Sequence, residues 1–166
     1  QATGGRRGPI SAEAKNCDIS RTPDIDETAW QYDVISKYPG DIEVKMSSRI
    51  GGGCKWIGTD GWVWVNRGRL DASNKEWVKK GFSAGKWKGY KSPGHQRNFI
   101  DCVKSRKETI APAENAHRAI TPGHIAYVSH EIGRAIKWDP KKEAVIGDDK
   151  AHKILYSLPY RGDWKL

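Results

Sequence analysis

Trp30-Gln31-Tyr32-Asp33-Val34-Ile35-Ser36-Lys37-Tyr38, then Pro39-Gly40-Asp41, then Ile42-Glu43-Val44-Lys45-Met46-Ser47 is the stretch on which the fold turns. Proline presets φ and glycine is free to take positive φ, so Pro39-Gly40-Asp41 reads as a turn. Beyond it Ile42, Val44 and Met46 alternate with Glu43, Lys45 and Ser47, the period of a strand with one wet face. The whole is an antiparallel hairpin. Downstream, Lys55 to Ile57 and Trp62 to Asn66 form a second pair joined through Gly58-Thr59-Asp60-Gly61, whose Asp-Gly suits a tight turn. Arg69 to Ala72 adds a short strand. Between the pairs, Gly51-Gly52-Gly53 breaks strand regularity and marks a crossover, or a place where another backbone or a ligand comes close.

The second half reads as helical. Ser92 suits an N-cap with Pro93 at the first helical position, and Phe99, Ile100 and Val103 form one apolar stripe ending in the cationic run Lys104 to Lys107. Pro112 and Glu114 open a longer helix in which Ile120, Ile125, Tyr127, Val128 and Ile132 cover a broad apolar arc, as for a helix buried on much of its surface. Pro122 lies inside it, frees the carbonyl of Arg118 and is expected to kink the rod. Ala135 to Trp138 reads as an edge strand, Asp148 to Leu155 as a short helix, Pro159 to Leu166 as a tail, and Gln1-Ala2-Thr3 as strand-like before a glycine loop.

The length of 166 residues sets one domain, or one with a small appendage, as the expectation, and a hydrophobic share of 37% allows a modest core. No apolar run approaches the 20 or so residues a spanning helix needs. Arg6-Arg7 is not followed by the apolar stretch of an export signal. The 3 cysteines, Cys17, Cys54 and Cys102, are widely spaced and show neither a disulfide framework nor zinc spacing. A formal charge of +9 invites a polyanion partner. The cations are scattered, however. The densest stretch, from Lys79-Lys80 to Lys91, interleaves Phe82, Trp87 and Tyr90 and reads as a solvated loop or a base-stacking one. No nucleic-acid module accompanies it, so nucleic acid is not an expected partner.

No nucleophile elbow, Walker loop or dinucleotide fingerprint occurs. His117 and His124 share nearly one helical stripe with Thr121 but stand about 10 Å apart along the axis, too far to share a metal; no metal is expected. Asp24-Asp26-Glu27 and Asp148-Asp149 fall where turns and helix starts are expected. The 8 Trp against 2 Phe suit stacking on sugar rings. Trp62 and Trp64 share one strand face and read as core; Trp30 and Trp56 are the candidates for a ligand face.

Several strings in order resemble the C-terminal half of one family, the glucose-fructose oxidoreductase, inositol dehydrogenase and MocA group (Gfo/Idh/MocA). They are Ala2-Thr3-Gly4-Gly5-Arg6-Arg7, Gly58-Thr59-Asp60-Gly61-Trp62-Val63, the run from His95 to Lys107, His117-Arg118, Lys137-Trp138-Asp139-Pro140, Gly147-Asp148-Asp149 and Pro159-Tyr160-Arg161-Gly162-Asp163-Trp164. The resemblance implies an N-terminal Rossmann domain that holds NAD or NADP and is not part of these residues, joined to a C-terminal α/β domain whose sheet walls the substrate site and commonly makes subunit contacts. The family's catalytic Lys of a Glu-Lys-Pro motif, and its Asp and His near the crossover, have no counterpart in this sequence. The chain alone is therefore not expected to turn over substrate.

Carried over residue by residue, the resemblance points to Arg6, Arg7, Ser48, Arg49 and the three glycines as substrate-facing, and to His117 and Arg118 as the start of the helix returning toward the cofactor domain. Trp56 joins the candidate substrate-binding set as an aromatic ligand face, and no catalytic residue is assigned. The expected architecture is α+β, an open, mostly antiparallel sheet with helices packed on one face, residues 1–166 forming one C-terminal substrate-binding domain. The expected partners are a sugar or polyol, the Rossmann domain and further copies through the sheet face. No cofactor is assigned to the chain itself. A stand-alone carbohydrate-binding module and a polyanion-binding domain are the alternatives.

Overall fold

The alternation around Pro39-Gly40-Asp41 does fold into a hairpin in the computed structural model, which describes residues 8–19, 29–82 and 90–157. In chain order the strands are β1 (Ser11–Ile19), β2 (Ala29–Tyr38), β3 (Ile42–Ser47), β4 (Cys54–Gly58), β5 (Gly61–Asn66), β6 (Arg69–Ala72), β7 (Ile136–Asp139) and β8 (Ala144–Val145). The α-helices are α1 (His95–Ser105), α2 (Ala113–Ile132) and α3 (Asp149–Tyr156). The arrangement is α+β, and the strand pairs are antiparallel. Two compact units emerge, one from Gln1–Arg49 with Lys107–Leu166 and one from Ile50–Arg106.

The first unit holds a sheet of order β3-β2-β1-β7-β8. Gly40 and Asp41 both take positive φ in the β2–β3 turn, the reason that Gly and Asp serve there. On one face of the sheet Ala12, Ile136 and Trp138 meet Ile125 and Val128 of α2 and Ala151 of α3, which together form the buried core. Ala12 has no side chain beyond Cβ, so the helical layer can approach the central strand closely. The short β7 leaves the β1 backbone beyond Ala12 without a neighbour on that side. Ser129 of α2 takes over: its Oγ accepts from Ala14 N at 3.0 Å and donates to Arg134 O at 2.7 Å. The opposite face carries Glu13, Lys15, Asp33, Lys37, Glu43 and Lys45 around Ile35 and is mostly polar.

Several expectations need correction. β1, the middle strand, was not anticipated from the sequence. The segment from Ala135 is not an edge strand, because β8 pairs beyond it. The broad arc on α2 divides: Ile125 and Val128 are buried with Thr121, Pro122, Ala126 and Ser129, whereas Ile120 and Tyr127 are exposed. Burial follows the i, i+3/i+4 row that faces β1, not every apolar residue on the helix. α2 runs through Pro122 as one helix, and Thr121 Oγ1 donates to His117 O at 2.7 Å, so Thr121 sits under the helix rather than between two histidines on an open stripe. α3 begins as expected: Asp148 caps it, accepting from Ala151 N at 3.0 Å.

The second unit contains the sheet β4-β5-β6 and α1. Gly58 pairs with Gly61, so the central turn residues are Thr59-Asp60 and the expected Asp-Gly turn is displaced by one position. Gly61 is needed for another reason. A Cβ there would lie 2.1 Å from Ser73 Oγ, the group that accepts from Trp62 N at 2.9 Å. Gly53 is likewise forced, since its Cβ would stand 2.6 Å from Val65 O; the glycine run thus marks the approach of another backbone. α1 starts two residues later than Pro93, with Gly94 as N-cap, while Ser92 Oγ accepts from Gly94 N at 3.3 Å. Its buried residues are Asn98 and Cys102, and the stripe Phe99, Ile100 and Val103 is exposed. Gln1 to Thr3, Asp24 to Glu27, Trp87 and the Pro159 to Leu166 tail lie outside the described residues.

Candidate functional site

One end of the five-stranded sheet is built around a break in strand geometry. Between Lys15 and Asp18 the β1–β2 register shifts, and Asn16 takes φ +51°, a conformation Asn tolerates better than most residues. Arg49, just past the end of β3, donates from its terminal nitrogen to Asn16 O at 2.8 Å. The Arg49 backbone N–H donates to Ser47 Oγ at 3.1 Å. Ser48 is fixed by a reciprocal pair, its N donating to Tyr32 O at 3.1 Å and its Oγ accepting from Tyr32 N at 3.0 Å.

Asp33 completes the corner. Hydrogen bonds from Ser47 and then Asn16 hold its carboxyl below the usual carboxylate range, with Lys45 and Arg49 adding attraction. Burial pushes the Cys17 thiol up, against a lowering backbone hydrogen bond at Asp33. Trp30 lies where the register shifts a second time and is 66% exposed, with Tyr32 two residues on. A guanidinium held at one nitrogen, a seryl hydroxyl and two exposed aromatic rings suit a ligand with hydroxyl groups or a carboxylate.

His117 and Arg118 are placed elsewhere. Arg118 bonds Glu114 at 2.9 Å, Glu143 at 2.7 Å and Pro140 O at 3.1 Å, and its side chain is 21% exposed. His117 Nε2 stands 3.1 Å from the same Glu143, whose φ is +53° and whose carbonyl accepts from Tyr156. This cluster fastens the start of α2 to the β7–β8 turn. It sits beside the first residues of β1, where Gly8 packs on Pro140 and Ser11 pairs with Lys137. Arg49 sits at Asn16, five strand residues on, or about 17 Å along β1. The structure therefore brings Ser48 and Arg49 together, and His117 and Arg118 together, at opposite ends of one strand.

Trp56 belongs to the second unit, where it pairs with Val63 and is 48% exposed. Trp62 and Trp64 are half-buried, and Lys55 Nζ lies 4.2 Å over the Trp62 ring. Arg6 and Arg7 lie outside the described residues. Sequence reasoning missed Asn16, Tyr32 and Asp33. The one local signal was the broken alternation at Lys15-Asn16-Cys17-Asp18. Among the described residues no group of three or more His, Cys, Asp or Glu is placed to hold a metal, and no helix is long and apolar enough to cross a membrane.

Compared with known families, residues 86–166 match the one described as "Oxidoreductase family, C-terminal alpha/beta domain", the C-terminal domain of the Gfo/Idh/MocA group. That segment, a little under half of the chain, is similar to the C-terminal domain of Gfo/Idh/MocA oxidoreductases. No curated protein and no solved structure matches the chain significantly. The matched segment spans α1, α2, β7, β8 and α3. Of the five-stranded sheet it supplies only β7 and β8; β1, β2 and β3, which complete the surface under α2 and α3, come from earlier in the chain.

Proposed function

We propose that this chain is the substrate-side wall of an NAD(P)-dependent oxidoreductase that acts on a sugar or polyol. The observation that carries the reading is the family match, joined to a corner in which Arg49, Ser48, Tyr32 and Trp30 present forked donors, a hydroxyl and aromatic rings. Arg49 and Ser48 hold hydroxyl or carboxylate oxygens and Trp30 stacks on the carbon skeleton. Among the described residues the strands pair antiparallel, and no glycine-rich strand-turn-helix opens onto a helix N-terminus; these residues do not fit a dinucleotide. In this reading the nicotinamide cofactor belongs to a Rossmann domain outside these residues. The chain's own part is to bind, orient and exclude water. Subunit contact is made by the sheet face turned away from α2 and α3.

Titration of the purified chain with sugars, polyols and sugar acids, read by tryptophan fluorescence and heteronuclear NMR, tests this. Binding should perturb residues around Asn16, Tyr32, Ser48 and Arg49, and Trp30→Ala should weaken it about tenfold. Joined to a Rossmann domain of the same family, the chain should support nicotinamide reduction by the sugar or polyol it binds. Shifts confined to the second unit around Trp56, with no such activity, would instead support a stand-alone carbohydrate-binding module, the reading favoured by the exposure of Trp56. Binding to nucleic acid that falls steeply with salt would point to a polyanion partner.

A further inference from the structure

The outer edge of β3 carries a pattern that is complementary to itself. Among the described residues β3 pairs only with β2, so the five-stranded sheet ends in a six-residue strand with a free edge. The bond from Ser48 N to Tyr32 O fixes the direction of the backbone groups. Ser48, Met46 and Val44 turn their N–H and C=O toward β2, so those of Glu43, Lys45 and Ser47 point away from the sheet. On the other side of β2, Lys37 O accepts from Ile10 N, as this alternation requires.

We propose that this edge pairs with the same edge of a second copy, antiparallel about a two-fold axis at Val44, to give one continuous ten-stranded sheet. Outward-pointing residues must face outward-pointing residues, which leaves three central registers. Pairing Glu43 with Glu43 or Lys45 with Lys45 sets like charges opposite each other. The remaining register sets Glu43 against Lys45 and Lys45 against Glu43. In that register Ile42 meets Met46, twice, and Val44 meets Val44, on the face that α2 covers further along. Charge therefore selects the register and aliphatic residues fill it. A lysine on an edge strand ordinarily guards against such pairing. Here Glu43, two residues away on the same face and exposed like Lys45, turns the guard into a partner. The contact is short, so the dimer is concentration-dependent and strengthens at low salt. It does not depend on the substrate reading or on contact through the polar sheet face.

Sedimentation equilibrium of the full chain at low salt tests the pairing. Wild type should show a reversible association step that pairs two copies and responds to the edge variants, whatever contact the polar face adds. Lys45→Glu places two like-charge pairs in the interface and should raise the dimer dissociation constant about tenfold or more. The exchanged variant Glu43→Lys with Lys45→Glu should restore it. Lys45→Pro removes an outward N–H that the protomer does not use, so it should leave the melting transition in place while abolishing the dimer. A chain that stays monomeric, a K45E variant that associates like wild type, or an exchange that fails to restore association overturns the proposal; the last two would place the contact on another face.

Discussion

The two ends of the five-stranded sheet each hold an arginine, and the two are used in opposite ways. Arg118 has three acceptors around it and is mostly covered, so its hydrogen-bonding capacity is consumed by the protein. Arg49 is held at one nitrogen by a carbonyl that the Asn16 bulge presents, and is exposed. A guanidinium among carboxylates and a proline carbonyl fastens elements together. One steered by a backbone carbonyl, with the Asp33 carboxylate adding attraction, is oriented without being consumed. The residue type is the same, and the acceptors that surround it decide which part it plays.

Substitutions can break that contrast. Both ends share the core, so Ile125→Ala should cost about 3 kcal/mol of unfolding free energy by urea denaturation and weaken both alike. Arg118→Ala should cost about 1 kcal/mol, since it removes the cation shared by two half-exposed carboxylates and the donor to Pro140 O. Arg49→Ala should change stability by less than about 0.5 kcal/mol while lowering sugar or sugar-acid affinity about tenfold in the fluorescence titration. If Arg118→Ala proves silent in denaturation and Arg49→Ala severe, the assignment of the two ends is reversed.

Acid should sharpen the comparison with the smallest effect. The backbone N–H groups of Lys142 and Lys141 hold the Asp139 carboxyl below its ordinary range at the fastened end, and Ser47 and Asn16 do the same for Asp33 at the open end. A carboxylate whose folded value is depressed adds stability above its unfolded value of about 4, and that contribution is lost as pH falls through the folded value. Melting temperature should therefore drop as pH is taken below about 4, and the drop should be shallower in both Asp139→Asn and Asp33→Asn. Identical slopes in wild type and both variants would show that neither carboxylate is linked to folding.

Much of the fold could be read locally. Alternation around Pro39-Gly40-Asp41 marked β2 and β3, and Asp148 marked the start of α3, because turn and cap chemistry act within a few residues. β1 escaped because its inward residues are Ala12 and Ala14, too small to stand out as an apolar alternation, and because Asn16 interrupts the period. α2 was recognised as a helix but assigned too wide a buried face. Ile120 is as apolar as Ile125, and only the position of β1 decides which of the two is covered. The candidate site was legible in part. Resemblance pointed to Ser48 and Arg49, while Asn16 and Asp33 join them across the sheet, hinted at locally only by the broken alternation around Asn16. His117 and Arg118 were recognised together, but their partner Glu143 is reached only through the β7–β8 turn.

The central strand of the sheet takes one neighbour from early in the chain and the other from near its end, with Ile50–Arg106 between them. On a ribosome β1, β2 and β3 emerge long before β7 and α2, so for that interval Ala12 has no helix over it. The nascent hairpin must wait for its lid with an apolar side and an unpaired margin in water, the period in which a chaperone or a neighbouring nascent chain can reach it. Slow decoding between Ile50 and Arg106 would lengthen that wait, and a circular permutation that places α2 before β1 would remove it.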